Sequence, residues 1–237
     1  FRACFNALRK KLRKLSCFFL FPCLLSSTLA PALKNDQQLQ IILKKSRELF
    51  SRFGVKNLTM DDIAKELGMS KKTIYQHVNN KADLVRLSLE EFLKEEKANL
   101  KAILASTENS VDTIIQLVSY FHGQIREFNP YVLNDLQKYY PDCWAILNDY
   151  RYSYFHTVIA DNIDNGIREG LYRKDMNADI IAKIYIKGFE ILLDQDLFPQ
   201  KKYVFLEVYK EFLKYHLRGI VSAEGLKLLE THNIFKS

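Results

Sequence analysis

Two lysines and a glutamine lie close together in the segment GMSKKTIYQH, which runs from Gly68 to His77. The ammonium groups of Lys71 and Lys72 can bind phosphate oxygens or the acceptor atoms of guanine. The amide of Gln76 can both donate to and accept from adenine through paired hydrogen bonds. The segment therefore carries the side chains that can hold a nucleic-acid backbone and read its bases.

A helix is predicted before this segment, from Gln37 to Phe53, and Gly54 ends it. Its predicted inward residues follow one another at three- and four-residue steps: Leu39, Ile42, Ser46, Leu49, Phe50 and Phe53. A second helix is predicted over MDDIAKEL, where Thr59 and Asp62 form an acidic variant of the capping box. Gly68 is expected to end this helix in the left-handed conformation.

Ser70 is expected to cap a third, short helix over about residues 71–78. The spacing of Ala64, Gly68 and Ile74 fits a helix-turn-helix, which needs a small residue at the crossing, a glycine in the turn and an apolar anchor on the second helix. With Ile74 turned inward, Lys72 and Gln76 point to the opposite side. An ordinary helical hairpin with its polar face in water is the alternative interpretation.

In a helix-turn-helix, the first turn of the third helix, residues 71–73, would enter the major groove of DNA. Thr59, Tyr75 and Lys81 would contact backbone phosphates and set the register. Nine Lys and Arg residues against six acids in residues 36–85 add a modest local positive charge. This charge is consistent with a phosphate-binding surface.

The string FGVKNLTMDDIAKELGMSKKTIYQHVNNKADL resembles the DNA-binding region of the TetR family of bacterial transcription regulators. The matching elements are the Thr-capped helix with Ile63-Ala64, the Gly-x-Ser turn, the Tyr-x-His step and the Asn-Lys-x-x-Leu start of a fourth helix. Val78 departs from the family pattern, which usually has Phe there. The predicted DNA-binding residues are Thr59, Ser70, Lys71, Lys72, Thr73, Tyr75, Gln76, His77 and Lys81.

The resemblance implies an all-α fold with two domains. A three-helix DNA-binding domain would cover residues 36–84, and a larger helical domain for ligand sensing and dimerisation would cover 85–237. The helices of the second domain are predicted at 84–104, 111–128, 131–140, 141–169, about 177–193 and 201–219. The last two long helices would form an isologous homodimer interface, so that two recognition helices meet a palindromic operator.

Aromatic residues are dense between positions 120 and 155. Most of them suit core packing, yet so many tyrosines also suit an apolar cavity with a few polar tips. We expect a largely apolar or aromatic small molecule to bind there, with Tyr120, Phe121, Trp144 and Tyr152 as candidate wall residues.

Residues 1–35 differ from the rest of the chain, since they hold seven Lys and Arg, no acid and three of the four cysteines, Cys4, Cys17 and Cys23. The segment resembles a secretory signal, and a mis-assigned start or an expression remnant would look the same. We interpret it as a non-domain extension. Cys143 is the one thiol outside it, which suits a reducing cytoplasm.

The sequence contains no arrangement of residues typical of catalysis. His122, His156, His216 and His232 are scattered without metal-ligand spacing, and no glycine-rich phosphate loop follows a strand. We therefore predict a cytoplasmic regulator that is not an enzyme, with no catalytic residues, metal, cofactor or membrane partner.

The most direct functional interpretation is a repressor that a ligand releases from double-stranded DNA. A DNA-binding regulator controlled by a protein partner, without a ligand cavity, is the alternative. An exported or membrane-anchored helical protein is a third class, suggested by residues 1–35 alone.

Overall fold

The computed structural model of the chain describes residues 29–125, 129, 131–199 and 201–232. The signal-like segment with Cys4, Cys17 and Cys23, and the end of the helix predicted to reach Phe128, lie outside the described residues. Within the described ranges the fold is helical, and the sole β-type pairing is an isolated bridge between Tyr172 and Val221.

Helix α1, Leu29–Phe53, ends as predicted at Gly54, whose φ of 80° is in the left-handed region. It begins before the predicted start, and Pro31 is compatible with this because a first-turn residue needs no backbone N–H donor. The chain divides into two units at the boundary between Gln38 and Leu39. Of the first unit the structure describes residues 29–38, which are helical.

The next three helices have the predicted order. They are α2, Met60–Leu67, α3, Lys71–Ile74, and α4, Lys81–Ser106. Helix α3 is shorter than predicted, and the chain continues from it as a turn to Val78. Asn80 caps α4, because its side chain accepts a hydrogen bond from the Asp83 N–H.

Three α-helices precede a π-helical segment in the middle of the chain. Helix α5 covers Ser110–Ile125, α6 covers Tyr131–Tyr139 and α7 covers Pro141–Asp149. A π-helix, Tyr150–Phe155, then leads directly into α8, His156–Arg168. The single helix predicted for 141–169 is thus interrupted by a π-helical segment, a feature that often occurs at functional sites.

Three helices complete the described chain. Helix α9 is Ala178–Leu192, capped by the Asn177 side chain, and α10 is Phe205–Ile220. Helix α10 starts later than predicted, because residues 201–204 form a turn and an extended step. A further helix, α11, Ala223–Thr231, follows Ser222 and was not among the predicted helices.

The buried apolar residues form two clusters. An N-terminal core contains residues of α1 to α4 together with Leu136, Cys143, Leu147 and Tyr150. A C-terminal core draws on α4, α5 and α8 to α11. The N-terminal core therefore reaches beyond the predicted domain boundary at residues 84 and 85, since α6, α7 and the π-helix contribute to it.

Candidate nucleic-acid interface and cavity

Local hydrogen bonds hold the turn between α2 and α3. The Thr59 hydroxyl accepts from the Asp62 N–H at 3.2 Å, and the Asp62 carboxylate accepts from the Thr59 N–H at 2.9 Å, which completes the predicted capping box. Hydrogen bonds from the Thr59 side chain and backbone lower the pKa of Asp62. Gly68 has a φ of 64° and donates its N–H to Lys65 O at 3.1 Å.

Ser70 caps α3 as predicted. Its hydroxyl accepts from the Thr73 N–H at 3.0 Å and lies 2.8 Å from the Thr73 hydroxyl. Ile74 is fully buried in the N-terminal core, so it fixes which side of α3 faces inward. The turn after α3 stays helical in its bonding, since the Val78 N–H donates to Ile74 O at 3.2 Å.

The opposite side of this element is exposed. Lys71, Lys72 and Gln76 all lie in solvent, and the Tyr75 ring is 46% exposed at their flank. Thr73 and His77 are half-buried. The geometry therefore brings two ammonium groups and one amide together on one surface, which we call the α3 face, defined as Lys71, Lys72, Thr73, Tyr75 and Gln76.

Lys71 has a carboxylate partner on the preceding helix. Its ammonium lies 3.0 Å from the Asp61 carboxylate, and both side chains are largely exposed. The hydrogen bond to Asp61 raises the pKa of Lys71. In a complex with a polyanion, the ammonium would have to leave this carboxylate for a phosphate, or bind both groups at once.

The environment of Lys81 differs from that of the other predicted DNA-binding residues. Its half-buried ammonium donates to Val55 O at 2.6 Å, and burial lowers its pKa. The side chain thus ties the start of α4 to the turn after α1. The phosphate contact expected for Lys81 stays a prediction, but the structure gives its charge an internal partner that the sequence did not indicate.

A carboxylate of α6 meets the same turn. Asp135 accepts from the Val55 N–H and the Lys56 N–H, each at 2.8 Å. Since α6 also packs Leu136 into the N-terminal core, it holds the segment that joins α1 to α2 through both polar and apolar contacts.

A cavity of about 600 Å³ lies among α1, α4, α5, α6, the π-helix, α9 and α10. This size is in the range of small-molecule sites. Its walls are mostly apolar and aromatic; the aromatic lining consists of Phe50, Phe92, Tyr120, Phe121, Tyr150, Phe155, Tyr185, Phe189 and Tyr209.

Two of the four predicted wall residues line this cavity and two do not. Tyr120 and Phe121 are part of the wall. Trp144 is not, because it packs on the N-terminal core with the Arg151 guanidinium 5.3 Å from its ring centre. Tyr152 is not, because its ring is 44% exposed and its hydroxyl donates outward to Glu190 at 3.2 Å. For Trp144 and Tyr152 the prediction of a place in the cavity wall was wrong.

Glu96 is a cavity residue that the sequence analysis did not select. It is 3% exposed, and its carboxylate accepts from the Tyr120 hydroxyl at 2.7 Å and from the Gln124 amide at 3.2 Å. A signal was present, because Glu96 stands between Leu93 and Leu100 at the spacing of the inward face of α4. A carboxylate within an apolar stripe indicates either a buried partner or a ligand contact.

The π-helix supplies further wall residues that the sequence did not single out. Tyr150 and Phe155 stack with ring centres 6.4 Å apart, and Arg151 reaches Glu190 of α9 at 3.5 Å. Burial lowers the pKa of Arg151, while Glu190 opposes that effect. The π-helix thus connects the cavity to both hydrophobic cores.

Helices α9 and α10 expose apolar side chains. Ile180, Ile184 and Ile191 of α9 are 53%, 56% and 50% exposed, and Tyr215 of α10 is 83% exposed. Together these four residues form what we call the isoleucine face. Side chains of this kind, exposed in series along helices, are typical of an interface with another protein surface.

Two kinds of site are not found in the part of the chain that the structure describes. No cluster of three or more His, Cys, Asp or Glu side chains has the arrangement of a metal site there. None of the described helices combines the length and the apolar character needed to span a bilayer.

Comparison with known proteins points to one family. Residues 42–87 match the family model described as bacterial regulatory proteins, tetR family. The uncharacterized HTH-type transcriptional regulator YvaF of Bacillus subtilis is 25% identical over 184 residues, which cover 77% of this chain and 95% of that protein. The HTH-type transcriptional repressor KstR2 of Mycobacterium tuberculosis is 24% identical over 149 residues, or 60% of this chain and 72% of that one.

A solved structure supports the same fold. A putative transcriptional regulator from Saccharomonospora viridis, crystallised in complex with choline, has a TM-score of 0.64 and 24% identity. The match covers 79% of this chain and 99% of that one. At this identity the likeness establishes the fold, and the helical architecture described above is the one that the two proteins share.

Proposed function

We propose that the chain is a transcriptional regulator of the TetR type, namely a cytoplasmic, homodimeric repressor that a small, largely apolar ligand releases from a palindromic operator. The relatives above are named as transcriptional regulators, so the prediction that the chain is not an enzyme is confirmed. The repressor role, the operator and the ligand belong to the proposal.

The α3 face is the observation that carries the proposal. Ile74 is buried and the caps at Thr59 and Ser70 are formed, so Lys71, Lys72 and Gln76 extend from one rigid surface into solvent. A short helix presented in this way fits the major groove of B-DNA. Gln76 would read a base, and Lys72 would bind either a phosphate or guanine.

The isoleucine face supports dimerisation through α9 and α10. Burial of apolar area at about 25 cal/mol per Å² stabilises an interface, and exposed Ile180, Ile184 and Ile191 would gain this energy when they meet a second copy. Two copies related by a twofold axis would present two α3 faces, which explains why we expect a palindrome.

The cavity supports control by a small molecule over control by a protein partner alone, because the second alternative needs no such space. Its walls include residues of α1, which leads into the DNA-binding helices, and of α9 and α10. A ligand that prefers one arrangement of these helices would shift the distance between the two α3 faces. The change in DNA affinity cannot exceed the preference of the ligand between the two arrangements.

The proposed role of Gln76 in reading a base is tested by fluorescence anisotropy, which measures the affinity for operator DNA and for random DNA of equal length. For Gln76→Ala we expect about 10- to 100-fold weaker binding to the operator and little change on random DNA, because a lost base contact costs about 1–3 kcal/mol. For Lys72→Ala in a phosphate-binding role we expect weaker binding to both DNAs and a smaller salt dependence.

Gln116→Ala on α5, far along the chain from the α3 face, is the matched control and should leave both affinities unchanged. Equal losses on operator and random DNA for Gln76→Ala would contradict its role as a base reader.

A further inference from the structure

Glu96 is a buried acid with no cationic partner among the residues that the structure describes. It is 3% exposed, and none of the described Lys, Arg or His side chains forms an ion pair with it. The nearest candidate on α1, Arg47, is bound to Glu95 at 2.7 Å and acts on Glu96 only at longer range. Buried charges in proteins are ordinarily paired or bound to a ligand.

The other charged groups of the cavity lining are already accounted for. Arg47 pairs with Glu95, and Arg151 pairs with Glu190 at 3.5 Å. Glu48 and Arg52 lie in solvent. Glu96 is therefore the lining residue whose charge the described part of the protein leaves unbalanced.

Hydrogen bonds orient this carboxylate without neutralising it. The Asn99 amide donates to the Tyr120 hydroxyl at 2.9 Å, and Tyr120 donates to Glu96 at 2.7 Å. Burial, with the nearby Glu96, raises the pKa of Tyr120 to about 12, so the phenol keeps its proton and stays a donor. Tyr120 and Gln124 both donate to the same carboxylate oxygen, Oε2.

Two unpartnered hydroxyls in the cavity wall point independently to a polar occupant. Ser88 and Tyr150 are 3% and 8% exposed, both line the cavity, and neither hydroxyl has a hydrogen-bond partner among the described residues. A buried hydroxyl without a partner destabilises the protein, and a ligand group that hydrogen-bonds to it would remove this cost.

Aromatic rings continue from the carboxylate around the wall. Tyr120 and Phe121 meet edge to face at 5.3 Å, and Phe121 meets Phe155 in the same way at 5.6 Å. Tyr185 lies 6.5 Å beyond Phe155. The faces of such rings carry partial negative charge and attract cations, so the rings and the carboxylate favour the same kind of ligand group.

We propose that the cavity binds an amphipathic organic cation whose ammonium group contacts Glu96 and whose apolar body lies against the aromatic wall. This inference rests on the proposed function, in which the cavity is the effector site, and it adds the charge of the ligand. Burial raises the pKa of Glu96, because an unpaired carboxylate is poorly solvated there. A positive group brought into the cavity would stabilise the charged form.

The test is calorimetric titration of the full-length protein with three phenylalkyl probes of similar size: phenylbutylamine, phenylbutanol and phenylbutyrate. We expect the amine, which is protonated at neutral pH, to bind about 10- to 100-fold more tightly than the alcohol, as charge-assisted hydrogen bonds do. The carboxylate probe should bind most weakly.

Glu96→Gln should remove the preference for the amine, since glutamine keeps an acceptor for Tyr120 but has no charge. Glu108→Gln removes the same charge at an exposed position after α4, away from the residues that line the cavity, and should keep the preference. If Glu96→Gln fails to fold, the order of the three probe affinities on the unmodified protein still shows whether the cavity prefers a cation.

The outcomes separate the two proposals. Equal or tighter binding of the alcohol on the unmodified protein would overturn the inference about charge and leave the cavity as a site for apolar ligands. If none of the three probes binds, the inference fails together with the cavity as a small-molecule site.

Discussion

Polar groups are exposed to water on the α3 face and buried in the cavity. On the α3 face, Lys72 and Gln76 stand in water, and caps within a few residues hold the backbone beneath them. In the cavity, Glu96 and Tyr150 are buried, and their neighbours come from helices far apart in the chain. Under the proposed function, the α3 face would contact a large, hydrated polyanion, whereas the cavity would enclose a small molecule and replace its solvent.

Because of this difference, substitutions in the two regions should have different effects. A change on the α3 face should alter DNA binding while the fold keeps its stability, because exposed side chains make few internal contacts. A change near the cavity should alter stability together with ligand binding, because buried polar groups depend on their partners.

Asp135 joins α6 to the turn after α1, and its removal should have the largest effect on stability. Asp135→Ala leaves the Val55 and Lys56 N–H groups without their acceptor, so we expect a loss of about 2 kcal/mol in the free energy of unfolding. Chemical denaturation measures the loss, and amide hydrogen exchange at Val55 and Lys56 should become faster.

Asp161→Ala, an exposed aspartate on α8, is the control and should change neither quantity. Unaltered exchange at Val55 and Lys56 in Asp135→Ala would show that α6 does not hold the turn after α1.

His216 should make the stability of the protein depend on pH. It lies on α10 with its ring 4.8 Å from that of Tyr185, and burial lowers its pKa to about 4 from 6.5. Between these pH values the unfolded chain binds a proton that the folded chain does not, so stability falls as the pH falls.

His216→Phe keeps an aromatic ring and removes the titration. We expect the difference in unfolding free energy between the variant and the unmodified protein to grow in favour of the variant from pH 7 to pH 4. A constant difference across this range would mean that the imidazole is protonated in the folded state as easily as in the unfolded one.

Substitution of Asp61 should have the smallest effect of the three. It should change DNA affinity more than the stability of the fold. Asp61→Asn frees the Lys71 ammonium from its exposed ion pair and removes a negative charge beside the proposed DNA surface. Exposed pairs are worth about 0.2–1 kcal/mol, so we expect about two- to fivefold tighter DNA binding in anisotropy titrations. Glu66→Gln, the same charge change on the same helix, should have less effect, and an equal gain from both would indicate a general charge effect without involvement of Lys71.

The elements that could be predicted from the sequence depend on neighbours in the chain. Thr59 with Asp62, Gly68 and Ser70 form the caps and turn that their spacing predicted, since each bond joins residues a few positions apart. The inward placement of Ile74 followed from helical periodicity, and the resemblance to the TetR family is confirmed.

The cavity could be predicted only in part, because helix packing decides which side of a helix faces inward. Aromatic density suggested a cavity in the region of Tyr120 and Phe121, but the same reasoning misplaced Trp144 and Tyr152, whose sides are set by contacts with Arg151 and Glu190. Glu96 could be identified as a wall residue only once the positions of α5 and the π-helix were known. Lys81 likewise acquired its backbone partner from the turn after α1.

Selection of genomic DNA fragments by the purified full-length protein tests the central claim most directly, namely that two α3 faces read one operator. The account predicts an enriched inverted repeat whose half-sites lie in major grooves on one side of the DNA, and a loss of preference at one position of each half-site with Gln76→Ala. Recovery of fragments without a common sequence, or of a single unrepeated site that Gln76→Ala selects equally well, would contradict it.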